Sequence, residues 1–184
     1  MEKTDMENKV IKKLDSLQPV CVAEQTHVTH YQNSRCLYLE KLSSEEREIL
    51  RKLATGEIAI EGRRLKGRAI NALGYDRVEK QKSFNILVQI IGSDARCQMK
   101  IIALRAIERL NHQVAMAVIQ KIIENVEGEL PLTLAAARLH GPTTNEKIVK
   151  SLSILRKRFI TIGYTENSQN IRMLNKLINP AADC

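Results

Sequence analysis

Cys21, His27, His30 and Cys36 come closer than any other residues of this 184-residue chain to a recognisable chemical site. Two thiolates and two imidazoles are a proper tetrahedral donor set for zinc. Their spacing, Cys-x5-His-x2-His-x5-Cys, departs from that of the common zinc fingers, whose paired ligands stand about two to five residues apart. A metal here would supply folding energy to a segment with little core of its own. The competing reading is a loop in which these residues merely coincide. Zinc is the one cofactor the sequence raises.

The second candidate chemistry is cationic. The run EGRRLKGR places Arg63, Arg64, Lys66 and Arg68 close together on one helix. Lys100, Arg105 and Arg109 follow on a later helix with Arg96 at its start, and Arg138 with His140 on the next. A row of guanidinium and ammonium groups suits phosphate oxygens or the carboxylates of an acidic protein. The alternative is ordinary exposed cations, some paired with Glu61 and Glu108. A third basic stretch, LRKRF at 155–159 with Lys150, suits a short nuclear-import or nucleic-acid patch, but reads rather as the solvated side of a helix whose apolar side carries Leu152, Leu155 and Phe159.

Reaction motifs are missing from the sequence. It holds no GxSxG, P-loop, HExxH, GxGxxG or CxxC. Glu45 and Glu46 open a helix, where acids favour the macrodipole, and Glu124 and Glu127 close one with no histidine nearby in sequence. His112 and His140 each read as residues following the end of a helix. No residue set assigns a reaction, and the expectation is a binding protein.

The net charge of +8 favours acidic partners. Apolar residues make up 43% of the chain and aromatics 3%, with no Trp, so a core must be built from Leu, Ile, Val, Ala and Met, the materials of packed helices. No apolar run approaches the roughly 18–20 residues of a membrane span. The charged start MEKTDMENKVIKKL has no apolar signal region, so the expected setting is cytoplasmic, with reduced thiols and no membrane contact.

Helix signals then place these residues. Thr4 with Glu7, Ser43 with Glu46 and Thr143 with Glu146 read as capping boxes. Helices are predicted over 62–74, 80–91, from Ser93 or Asp94 to Leu110, over 113–126 and 130–139, and in two further segments behind Thr143 and Asn167 or Ser168. The short breaks force successive helices into antiparallel hairpins. Residues 20–40 carry no helical stripe and read as an irregular segment or a small β-hairpin. Three divisions follow: an N-terminal helix and irregular segment over 1–40, a helical core over 41–141, and a C-terminal helical pair over 142–184.

The core repeats itself. Ala69, Ala72 and Leu73 align with Ala103, Ala106 and Ile107 at a spacing of 34. Arg109 and Leu110 align with Arg138 and Leu139 at 29, and Leu87, Val88 and Ile91 with Val118, Ile119 and Ile122 at 31. On SDARCQMKIIALRAIERL, with weaker copies RRLKGRAINALG and LPLTLAAARLHG, the chain resembles the HEAT-like α-solenoid family over residues 43–141. The resemblance implies an all-α stack of helical hairpins whose second helices line a concave surface. Arg63, Arg64, Lys66, Arg68, Lys100, Arg105, Arg109 and Arg138 would then form a basic groove for an acidic protein, with nucleic-acid phosphates as the alternative ligand. Some HEAT-like proteins are DNA glycosylases. The missing Trp, and tyrosines placed mainly outside the repeats, speak against that activity, and the resemblance carries over no catalytic residue.

Overall fold

The computed structural model describes residues 4–16, 41–59 and 63–179, apart from the side chains of Arg63 and Arg64. These residues form an all-helical protein: α1 (Asp5–Ser16), α2 (Ser44–Thr55), α3 (Arg63–Leu73), α4 (Lys80–Gly92), α5 (Cys97–Leu110), α6 (His112–Glu124), α7 (Leu130–His140), α8 (Glu146–Thr161) and α9 (Gln169–Ile178). The four zinc-type residues and the segment 20–40 lie outside the described residues.

Local chemistry sets most helix ends. Thr4 and Glu7 exchange side-chain bonds with each other's backbone N–H at 3.3 and 3.1 Å. Ser43 and Glu46 do the same at α2, which Gly56 stops at φ 92°. Two caps differ from their sequence expectation. At α8 the cap is Asn145, whose side chain accepts from the Lys147 and Ile148 N–H groups, while Thr143 accepts from Asn145 itself. Asn caps as well as Thr, so the residue nearest the helix takes the role. Ser93 belongs to the end of α4, where its hydroxyl donates to the Ile90 carbonyl, and α5 starts only at Cys97 without a side-chain cap.

Consecutive helices pair, α2 with α3, α4 with α5, α6 with α7 and α8 with α9. The second members also pack in series, α3 on α5, α5 on α7 and α7 on α9, while α2 meets α4 and α6 meets α8. Substantial contacts among the described helices thus join hairpins adjacent along the chain. Val10 and Leu14 are fully buried where α1 rests on α2 and α3.

Burial fixes the register between hairpins. Ala69, Ala72 and Leu73 are buried, as are Ala103, Ala106 and Ile107, at the spacing of 34 read from the sequence. The other two spacings each move by one residue. In α7 Leu132, Thr133, Leu134, Ala136 and Ala137 are buried, and the last four of these match Ala103, Leu104, Ala106 and Ile107 at a spacing of 30. Ser83 and Leu87 match Ala115 and Ile119 at 32, whereas Val88, set on Ile119 by the spacing of 31, is 36% exposed. One residue rotates a helix by about 100°, and a broad apolar stripe tolerates that rotation in a sequence alignment. Arg138 is therefore not the structural counterpart of Arg109.

Helix α2 carries charge into the interior. Arg51 donates to Glu79 at 2.5 Å and to Asp76 at 3.4 Å, and Arg47 stands 3.8 Å from Asp76. Both arginines are buried. Asp76 also accepts from the Val78 and Glu79 N–H groups of the turn that leads into α4, and from the Ser83 hydroxyl of α4 at 2.6 Å, so it anchors the first turn of α4 to α2. Near the start of α2, buried Glu46 accepts from Lys9 at 2.8 Å and Lys13 at 3.2 Å, both on α1.

These partners make part of the stability acid-sensitive. Lys9 first, then the Ser43 N–H, pull the Glu46 carboxyl from its ordinary 4.5 to about 2. Arg51 and then Lys82 hold Glu79 at about 2 as well. A carboxyl that binds its proton less readily folded than unfolded contributes stability above the unfolded pKa and loses it as pH falls towards the folded one. Urea midpoints are expected to be flat from neutral pH down to about 5 and to drop steeply from there to about 2. Glu46→Gln should start lower and lose less over that window. An unchanged acid slope in that variant would contradict the assignment.

Candidate functional site

The predicted basic row does not assemble as a row. Lys66 donates to the Thr55 carbonyl at 3.0 Å, at the end of α2. Arg68 reaches the C-terminal end of α1, donating to the Asp15 carbonyl at 3.0 Å and its carboxylate at 2.6 Å. Lys100 pairs with Glu129 at 2.6 Å beside the start of α7, and Arg138 donates to Asn170 at 2.9 Å on α9. In the same way Arg158 donates to the Val126 and Gly128 carbonyls of the α6–α7 turn. Cations of this kind satisfy groups near helix ends and tie a helix to its neighbour, Lys66 within its own hairpin and the others across to the next element. Lys100 and Arg109 are nine residues apart on α5, about 900° or half a turn out of phase. One side chain therefore faces α7 and the other α3. The backbone of Arg63 and Arg64 opens α3.

Two predicted cations keep a different setting. Arg105 is exposed, and Arg109, one turn on, borders a cleft of about 790 Å³. The cleft is built where α3 and α5 end and α4 and α6 begin. Tyr75 and Arg77 come from the α3–α4 turn, Lys80 from α4, Glu108 and Arg109 from α5, and His112 from α6. Gly74 brings the end of α3 against α5 and so sets the cleft's floor. Arg109 donates to Asn71 at 2.5 Å, and its guanidinium carbon lies 4.8 Å from the centre of the Tyr75 ring. That stacking fixes the guanidinium plane. Glu108, the carboxylate of the lining, stands 3.3 Å from His112. His112 follows the Asn111 cap that ends α5, as its place in the sequence implies, and also opens α6, where its ring Nδ1 meets this carboxylate.

Arg77, Lys80, Tyr75 and Asn71 were not legible as site residues. The signal available is GYDRVEK, an aromatic and four charges in one turn, but which hairpin end it faces depends on packing. Among the described residues no group of three His, Cys, Asp or Glu is placed to hold a metal. Cys97 is half-buried, and burial first, then the Glu129 carboxylate, push its thiol above the ordinary range. Such a thiol is a poor nucleophile. The same contact works on Glu129, held below its usual range by Lys100 first and then Cys97. No helix among the described residues is long and apolar enough to cross a membrane. No family model, curated protein or solved structure matches this chain.

Proposed function

We propose that this protein is a HEAT-like helical-hairpin adaptor that binds an acidic segment of a partner protein in the cleft at the ends of α3 and α5. The observation that carries this reading is the cleft's charge: Arg77, Lys80 and Arg109 line it, and its one described carboxylate is turned to His112. Arg105 extends the same cationic surface one turn up α5. The serial packing of hairpins supports the HEAT-like reading, since each pair buries its apolar faces on its neighbours. Cytoplasmic residence and the absence of catalysis belong to this proposal too.

Phosphates of a nucleic acid would meet the same cations. Base stacking, however, needs open aromatic faces. Tyr75 is the aromatic of the cleft, and Arg109 covers its ring. An acidic protein segment needs no such surface, which favours it.

The test is fluorescence anisotropy of a labelled oligoglutamate peptide and a labelled mixed-sequence duplex, at low and physiological salt. The peptide is expected to bind, and Arg77→Glu with Lys80→Glu to weaken it about tenfold, equivalent to about 1.4 kcal/mol. Unchanged peptide affinity in that variant would remove the cleft from the proposal. Tighter duplex binding with a steep salt slope would move the function to phosphate recognition.

A further inference from the structure

The outer face of the last hairpin carries a second cationic groove, separate from the α3–α5 cleft. It encloses about 610 Å³ between α8 and α9. Ser153, Arg156 and Lys157 stand on one stripe of α8, at i, i+3 and i+4, and Arg172, Asn175 and Lys176 repeat that spacing on α9. The opposite stripes of both helices are buried, Leu152, Leu155 and Phe159 on α8 and Ile171, Leu174 and Leu177 on α9. The cations therefore face away from the packed hairpins.

Two features set this groove apart from a solvated helix face. First, none of its described lining residues is a carboxylate. Like charges gathered along one groove repel each other, and acids among them would relieve that at no cost to solubility. Glu166, which accepts from Arg156 at 2.5 Å, comes from the α8–α9 turn and is not among the groove's lining residues. Second, Arg68, Lys100, Arg138 and Arg158 each join one hairpin to a neighbouring element, whereas Lys157 and Arg172 project exposed from their helices. Arg156 is oriented in advance. It donates through Nε to the Asn175 side-chain Oδ1 at 2.8 Å, which leaves the Asn175 side-chain NH2 as a donor on the groove.

We propose that this groove binds a small anion bearing two or more phosphate groups. Its polar lining is rich in donors: two guanidiniums, two ammoniums, a free amide NH2 and the Ser153 hydroxyl. Phosphate oxygens accept several such bonds, planar from arginine and point-like from lysine, and each group brings close to two negative charges. The volume falls in the range of small-molecule sites, roughly 300–1,000 Å³. The phosphates could belong to a soluble metabolite or to a lipid headgroup, which offer the same chemistry.

Isothermal titration of the full chain with tripolyphosphate, at low and physiological salt, tests the site, with citrate as the carboxylate control. One-site binding is expected, weakened about tenfold or more by Arg172→Ala with Lys176→Ala and changed less than about twofold by Arg77→Ala with Lys80→Ala. Arg172 and Lys176 are exposed, so the variant should melt with the wild type. No binding at low salt, equal weakening by the two variants, or citrate binding as tightly as tripolyphosphate would each overturn the proposal. Vesicles carrying a polyphosphorylated inositol headgroup separate the sources: retention displaced by tripolyphosphate points to a lipid, and tripolyphosphate binding without retention points to a soluble ligand. Retention that tripolyphosphate cannot displace would count against the groove. Failure of the oligoglutamate experiment leaves this result standing, because the variants lie at different sites.

Discussion

Asp76→Ala is expected to destabilise the fold by about 3–5 kcal/mol, the usual cost of removing one partner from a buried charge cluster. The carboxylate is 1% exposed and meets three kinds of group at once. It faces the guanidiniums of Arg47 and Arg51, accepts the Ser83 hydroxyl, and takes the Val78 and Glu79 N–H groups of the turn before α4. Loss of these turn bonds alone should cost about 1 kcal/mol. The larger part comes from the arginines, whose charge cannot reach water from their buried positions. Arg51 keeps Glu79 at 2.5 Å and Glu48 at 3.3 Å, which limits its share. Asp76→Asn keeps the shape and the N–H acceptor at Oδ1, but its NH2 would face the Ser83 hydroxyl and Arg51, so it should recover only the part that the turn bonds contribute. Arg51→Met should cost less than Asp76→Ala, because a long apolar side chain leaves no charge behind. Urea denaturation of the two singles and the double should show a coupling above about 0.5 kcal/mol. A cost for Asp76→Ala below about 1 kcal/mol would mean that water already reaches these arginines.

That cluster shows where sequence reading stops. Capping boxes, glycine stops and the apolar stripe of a helix are local signals, set by spacing within a few residues, and Thr4, Ser43, Gly56 and Ser168 hold the positions their neighbours dictate. The small-then-large pattern of α3 and α5 is equally local, and its spacing of 34 survives in the burial. A pairing such as Arg51 with Asp76 spans 25 residues. Arg47 and Arg51 look like surface residues of an amphipathic helix until α4 is packed over them. The same limit applies to the basic row. Arg105 and Arg109 share a face because they are four residues apart, which sequence shows. Whether Lys100, Arg68 or Arg138 faces solvent or a neighbouring helix end depends on rotations of about 100° between hairpins. Alanine, leucine and isoleucine, which fill most buried positions, cannot report those rotations. The cleft followed the turns and not the helix faces, so its cations were hidden in a stretch that reads as a connection.

Gly74→Ala is the second large effect, and the reason is space rather than conformation. Gly74 is not one of the positive-φ glycines. A Cβ at this position would lie 2.8 Å from the Cα of Ala106 and 2.9 Å from both its Cβ and its carbonyl oxygen. Two of those atoms are main chain of α5, so no rotamer change relieves the contact. The end of α3 must move away from α5, at an expected cost of about 1–3 kcal/mol, typical of overpacking in a close-packed core. Tyr75 adjoins Gly74 and Arg109 lies one turn beyond Ala106, so the same shift should loosen the cleft and weaken oligoglutamate binding. Gly92→Ala is the control. It sits at the end of α4 with nothing within 4 Å of the added methyl, and should be neutral or stabilise by up to about 1 kcal/mol. Ala106→Gly in the Gly74→Ala background removes one of the three close contacts and leaves the two with main-chain atoms. Thermal melts should therefore show only a partial rescue. A full rescue would mean that the side chains alone were in conflict, and a Gly74→Ala protein as stable as Gly92→Ala would show that α3 and α5 do not approach this closely.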